Sequence, residues 1–343
     1  MDTFPGIPRA RLDELLTKMR GVKAALLGDL CLDVYWMADM RKSELSRETP
    51  HFPLPVVEER MSPGGGGNAA ANMAALKPAE LYAVGVVGND WRGVELLRLL
   101  NGDGIDTEHV LRVSDRYTNA YCKPRPMGIS DVVYEDPRLD FGGDKPPDAG
   151  MEDAIIRSLD RLAPRIDVLA VSDQLPVGTV TGRVRDHLAK LARDGLAVVV
   201  DSRDRTRLYR NVILKPSEVD GARAAGLPDA GNSLEDYGKA ALILARRQDG
   251  EVVMTLGPRG SLYADCERAT HVPAHAVPGP LDTVGAGDTF LSGFSISIAA
   301  GASRVEAAAF AGLASEVTIQ QIGTTGVATP EQLVEWHRRC AAP

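Results

Sequence analysis

The pattern that most narrows the fold of this chain is an alternation. Short apolar runs at 24–27, 81–87, 167–171, 197–200, 212–214 and 252–256 are separated by segments with helical spacing. Runs that are apolar at every position, rather than at every second one, suit strands buried on both faces. A mainly parallel sheet flanked by helices on both faces buries its strands in that way. The intervening helices are expected at 68–76, 91–100, 180–193, 233–247 and 303–320, after an amphipathic segment at 9–20. Thr329, Pro330 and Gln332 have the residue types of an N-cap, a first helical position and a capping box, so a last helix should begin there. The expected class is α/β. A chain of 343 residues can form one large domain with a modest insertion, or two smaller domains.

Two stretches break the alternation, 36–61 and 117–145, with β-type residues, prolines and little helical periodicity. They read either as a small accessory sheet that closes over a substrate and excludes water, or as two long surface loops.

The chemistry concentrates at Asp282, Thr283, Val284, Gly285, Ala286, Gly287, Asp288, Thr289 and Phe290. An apolar, small-residue run follows to residue 300 and reads as a buried helix ended by Gly301. Gly285, Ala286 and Gly287 then lie at its N-terminus, where backbone N–H groups lack partners and the macrodipole is positive, so a polyanion can be held there. Asp288 in the same turn is expected to stay ionised at neutral pH, because a helix N-terminus favours the carboxylate. An ionised Asp beside a phosphate cradle can take the proton of a hydroxyl attacking phosphorus. The same residues also read as a Gly-rich helix start with a capping Asp.

Upstream, Ser62 and Pro63 lead into Gly64, Gly65, Gly66, Gly67 and Asn68, ahead of an Ala-rich run. Glycines let backbone approach a ligand closely, and Asn68 can cap a helix or bind a sugar hydroxyl. Gly28, Asp29 and Asp33 follow the first expected strand, at the sheet edge where open α/β sheets place ligands. Either acid suits a polyol, since a carboxylate accepts two hydroxyl bonds; Asp29 also reads as a turn residue. His271 and His275 flank Pro273, which forbids a helical metal pair at that spacing. Neither a P-loop nor a dinucleotide fingerprint is present.

The segment from Asp282 to Phe290 resembles the C-terminal signature of the ribokinase-like (PfkB) carbohydrate kinases, and Gly64, Gly65 and Asn68 resemble their N-terminal one. The resemblance implies one ribokinase-like domain over residues 1–343, with a β lid inserted from about 36–61 and 117–145. It implies ATP-dependent phosphorylation of a sugar or sugar phosphate, with Asp288 as general base and Gly285, Ala286 and Gly287 as anion hole. Asp33, Gly64, Gly65 and Asn68 then bind the sugar, and Lys215, Ser217, Thr255, Gly257 and Gly260 lie beside the nucleotide. Many members carry Asn-x-x-Glu where this chain has Ser217 and Asp220; Asp220 or Glu218 would then organise Mg²⁺ through water. The resemblance also allows K⁺ near Asp282 and Gly323, and a homodimer through the lid, for which Phe52, Leu54, Val56 and Val57 offer an apolar strand.

Within the family, the kinase domain of bacterial heptose 7-phosphate kinases is similar over residues 28–333. The shared elements are Gly28-Asp-Leu-Cys-Leu-Asp-Val-Tyr-Trp36, Ser46-Arg-Glu-Thr-Pro50 with Pro55-Val-Val57, Arg138-Leu-Asp-Phe141 and Ile322-Gly-Thr324. Lys123, Arg125 and Arg138 are candidates to neutralise a distal phosphate, or are solvated surface charges. No His-x-Gly-His appears, so the separate kinase form is expected. Other acceptors, such as a nucleoside, fructose phosphate or aminosugar, stay open, as does a sugar-binding protein that no longer transfers phosphate.

Composition sets the remaining bounds. A net charge of −8 with only short basic runs argues against a nucleic-acid or anionic-membrane surface. No apolar run approaches the roughly 20 residues that span a bilayer, and no signal peptide is recognisable. Cys31, Cys122, Cys266 and Cys340 are widely spaced, which fits reduced thiols in a cytoplasm better than a disulfide framework or zinc ribbon.

Overall fold

The computed structural model describes residues 1–129, 135–143, 145–227 and 233–340. Among them ten strands form one sheet, in the order Asp2–Thr3, Ala269–Val272, Ser261–Ala264, Glu251–Thr255, Ile213–Leu214, Ala197–Ser202, Val168–Asp173, Lys23–Gly28, Glu80–Gly88 and Val110–Val113. All pairings are parallel except those of Ser261–Ala264 with its two neighbours.

The side-chain period of two explains why the central strands are apolar throughout. Ala24 and Leu26 enter one core and Ala25 and Leu27 the other, all fully buried. The first core is closed by the helices Arg9–Met19, Gly66–Ala75, Trp91–Gly102, Ala286–Ala299, Arg304–Thr318 and Pro330–Cys340. The second is closed by Ala149–Leu162, Gly182–Arg193, Glu218–Ala225 and Leu234–Gln248. Thr329 and Gln332 form the expected capping box: the Thr329 hydroxyl accepts from the Gln332 N–H at 3.3 Å, and the Gln332 carbonyl from the Thr329 N–H at 2.9 Å.

The stretches that broke the alternation pair as a second, four-stranded sheet, in the order Val56–Gly65, Leu30–Asp39, Asn119–Met127 and Leu139–Phe141. Residues 130–134 and 144 of the expected insertion lie outside the described residues. The second sheet begins at Leu30, earlier than the expected 36. Asp29 alone separates it from Lys23–Gly28, and the run on both sides is apolar and buried, so the pattern does not mark the change of sheet. Also unanticipated were the edge strands Asp2–Thr3 and Val110–Val113, the inner strands Ser261–Ala264 and Ala269–Val272, and the helices Ala149–Leu162 and Glu218–Ala225. All four strands are short and none is apolar at every position, so they lack the continuous signal of the central ones.

Strand order reverses between Lys23–Gly28 and Val168–Asp173, which opens a crevice at their C-terminal ends. Asp29 holds that crevice together. Its Oδ1 accepts the Thr179 N–H at 2.6 Å, and its Oδ2 accepts those of Gln174 and Leu175 at 2.9 and 2.8 Å. Asp29→Ala should therefore strand these three N–H groups and cost ~3 kcal/mol or more of folding stability. Urea unfolding measures this; a loss under ~1 kcal/mol would contradict the bracing role.

Candidate active site

Two small-residue helices meet at their N-termini. Gly66–Ala75 follows Gly65, which has φ 52° and no room for a side chain: a Cβ there would lie 2.8 Å from the Asp29 carbonyl. Ala286–Ala299 follows Gly285 at φ 82°, where a Cβ would lie 2.9 Å from Asn68 Nδ2. The two helices interlock turn by turn. Asn68 Nδ2 donates to Asp288 Oδ2 at 2.7 Å, Thr289 Oγ1 to Asn72 Oδ1 at 2.9 Å, and Ser292 Oγ to the Ala69 carbonyl at 2.7 Å. The glycine motif and the aspartate motif, more than 200 residues apart in sequence, thus form one structure.

The cavity in front of them measures about 660 Å³, and Gly65, Gly285, Gly287 and Asp288 line it from this side. Across it lie Gln174 and Leu175 beyond one sheet strand, Asp201 and Arg203 at the end of the next, and Tyr121, Arg138 and Asp140 from the second sheet.

Asp288 departs from the ionised state expected of it. Burial drives its pKa up to about 7; Asn68 and Lys215 pull it down, while the nearby Asp201 charge adds to the rise. The helix N-terminus does not offset the loss of water. Asp201 pairs with Lys215 at 2.9 Å, and Lys215 Nζ lies 3.6 Å from where a Cβ on Gly287 would stand, so the ammonium abuts the cradle.

Asp29 and Asp33 differ in their partners. Asp29 is spent on backbone, whereas Asp33 keeps an acceptor in reserve: its Oδ2 takes Lys123 Nζ at 3.0 Å, but its Oδ1 is buried without a hydrogen-bond partner among the described residues. The bare Cα of Gly64 faces it, since a Cβ there would lie 2.7 Å from Oδ1. Burial raises the Asp33 pKa and Lys123 opposes the rise.

Of the three candidate phosphate-binding cations, only Arg138 lines the cavity. It lies over the Tyr121 ring at 4.2 Å and bonds Asp140 through two nitrogens. Lys123 is buried against Asp33 and Tyr35, and Arg125 stacks on Tyr35 and pairs with Glu135 at 3.4 Å. Arg203 and Asp201 were not singled out from sequence. Their position immediately after a buried parallel strand was the available signal.

The candidate nucleotide residues gather at neighbouring strand ends. Thr255 bridges to Ser217, its N–H donates to the Pro216 carbonyl at 3.0 Å, and Gly257 lies beside Glu218. None of Ser217, Thr255, Gly257 and Gly260 lines the cavity described above. Gly260 has a steric reason of its own, since a side chain there would collide with the Val272 carbonyl. Ser217 caps Glu218–Ala225: it accepts the Asp220 N–H at 3.1 Å and donates to Asp220 Oδ2 at 2.7 Å, while Arg223 pairs with the same carboxylate. Asp282 and Gly323 do come together, through a 2.9 Å bond from the Gly323 N–H, and the Gly323 carbonyl accepts Arg60 of the second sheet at 2.7 Å.

The fold around this cavity, with a glycine-rich helix start carrying Asp288 on one side, is found in known proteins. The pattern of the pfkB family carbohydrate kinases fits residues 35–123 and 166–332. The bifunctional protein HldE of Geobacter metallireducens is 30% identical over 328 residues, covering 94% of this chain and 64% of that protein. This chain therefore spans just under two thirds of that relative's length. HldE of Azorhizobium caulinodans is 30% identical over 335 residues, 95% of this chain and 67% of its own length. Escherichia coli phosphofructokinase-2 in complex with fructose-6-phosphate has the same fold, with a TM-score of 0.69 at 20% identity over 94% of this chain and 100% of that one. No helix of the described residues is long and apolar enough to cross a membrane. With the family pattern covering well over half of its length, the chain belongs to the pfkB family of carbohydrate kinases.

Proposed function

We propose that this kinase transfers the γ-phosphoryl group of ATP to a hydroxyl of a sugar phosphate, with Asp288 as general base. The observation that carries the proposal is the position of Asp288: half-buried, anchored by Asn68, and lining the same cavity as Gly285 and Gly287. A pKa of about 7 suits a group that must accept a proton near neutral pH. The acceptor hydroxyl gives its proton to Asp288 as its oxygen bonds to the γ-phosphorus and the bond to the ADP leaving oxygen breaks. The amides of Gly285 and Gly287, with Lys215 beside Gly287, balance the charge on the transferring group, whereas the Ala286 N–H, expected to join them, is given to the Thr283 carbonyl at 3.2 Å. Asp33 Oδ1, unpartnered and buried, is the acceptor for a sugar hydroxyl, and Asn68 and Gly65 complete that side.

Mg²⁺, when bound, neutralises charge on the nucleotide phosphates. The cradle has hard oxygen donors of the right kind: Asp201 lines the cavity, and Asp220 and Glu218, in the first turn of the next helix, suit contact through water. The second sheet acts in this reading as the lid. Phe52, Val56 and Val57 are exposed on or beside its outer strand and support a homodimer through it. The free cysteines support a reducing cytoplasm as the place of action.

Two arginines favour a phosphorylated acceptor. Arg138 and Arg203 both line the cavity, and Arg203 has no ion-pair partner among the described residues. The similarity to HldE makes heptose 7-phosphate the first acceptor to try, ahead of fructose phosphates, aminosugars and nucleosides.

Asp288→Asn should keep substrate binding nearly intact and lower kcat by ~10²–10⁴; turnover near wild type would remove Asp288 from the base role. Because the base must be ionised, kcat/KM should fall as pH drops through about 7. Asn68→Ala, which removes a bond favouring the carboxylate, should move that limb to higher pH; a shift to lower pH, or none, would contradict the assignment. On an acceptor panel scored by ADP release, replacing Arg138 and Arg203 together by Met should raise KM for the sugar phosphate ~10-fold or more, each charge-assisted bond being worth ~1.5–3 kcal/mol. An equal rise for the unphosphorylated sugar would argue against the phosphate subsite.

A further inference from the structure

His275, Glu316 and Cys340 come from three different segments, and their donor atoms lie within 4.8 Å of one another. His275 belongs to the loop after Ala269–Val272, Glu316 to the helix Arg304–Thr318, and Cys340 ends the helix Pro330–Cys340. From these residues we propose a transition-metal site, of the kind zinc occupies, that is separate from the phosphate-transfer cavity.

The donor set decides the class of ion. Imidazole, thiolate and carboxylate together suit Zn²⁺ and other borderline-soft divalent ions, whereas Mg²⁺ prefers oxygen alone. The carboxylate is already oriented as an outer shell would orient it. Glu316 Oε2 accepts the Trp336 indole N–H at 2.7 Å and Oε1 accepts the His275 backbone N–H at 2.7 Å, and a bound ion would replace the contact that His275 Nδ1 makes with the carboxylate. His275 Nδ1 stands 3.0 Å from Oε2. Ligand atoms around tetrahedral zinc are about 3.3–3.8 Å apart, given bonds of about 2.0–2.3 Å. Closing the cluster thus asks for about 1 Å of movement, which His275 and Cys340, neither of them buried, can supply by side-chain rotation. Water completes the fourth position on the open side of His275.

Sequence spacing hides this site. Pro273 had set aside His271 and His275 as a helical pair, and the His271 ring nitrogen does bond elsewhere, to the Arg259 carbonyl. A bound ion would tie the C-terminal helix to the loop that leads into Asp282 and the cradle.

Cobalt is the probe, because a cobalt–thiolate bond announces itself as a sulfur-to-metal charge-transfer band. Titrating the full chain, free of nucleotide, with Co²⁺ should give that band at one equivalent, and Zn²⁺ should displace it. Cys340→Ser should abolish the band, His275→Ala should weaken binding ~10-fold or more, and Trp336→Phe should weaken it ~10-fold through the lost outer-shell bond. Cys266→Ser, which changes the exposed thiol, should leave the band intact. Asp288→Asn should do the same. Absence of the band, its survival in Cys340→Ser, or its loss in Cys266→Ser would overturn the site. Unchanged melting temperatures without metal establish that the Cys340 and Trp336 variants are folded.

Discussion

The bond from Asn68 to Asp288 is the contact on which the rest of the site depends. It joins the first turns of two helices whose glycines and alanines allow their backbones to approach, and the bonds from Thr289 to Asn72 and from Ser292 to Ala69 repeat the junction along the same face. Larger residues at these positions would separate the helices and open the cradle. The small side chains therefore do two things at once: they bring bare backbone at Gly285 and Gly287 to the cavity wall, and they let the Asn68 side-chain amide hold the Asp288 carboxylate.

Burial dominates the electrostatics. A helix N-terminus alone favours an ionised Asp288, yet removal from water, with Asp201 nearby, brings its pKa to about 7. Asp201 and Asp33 are also pushed upward by burial, and each is compensated by one lysine, Lys215 and Lys123 respectively. Lys123 is the counter-charge of Asp33, whose Oδ1 has no hydrogen-bond partner among the described residues.

The second sheet shows how little separates architecture from chemistry here. Asp29 follows the strand Lys23–Gly28 of the large sheet and braces the crossover at Gln174, Leu175 and Thr179. The next residue starts the strand that carries Asp33. Along that strand Leu32 and Val34 enter the core while Asp33 and Tyr35 turn to the opposite face, toward Tyr121 and Lys123 of the adjoining strand. One residue of phase exchanges a core position for a site position.

The sequence by itself determined the strands buried on both faces, the helix starts with local caps, and the cradle with its aspartate, because each is written in a few contiguous residues. Periodicity and capping are short-range properties, so they survive in a linear reading. Edge strands such as Val110–Val113 escaped it, since half-exposed positions carry no continuous apolar signal. The tertiary structure alone decided which acids face the cavity, that Ser217 and Asp220 form a helix cap, and that Arg203 enters beside Arg138. It also decided the ionisation of Asp288 and the meeting of His275 with Glu316 and Cys340. All of these depend on solvent exclusion and on distances between residues far apart in the chain, and neither quantity exists until the chain has folded.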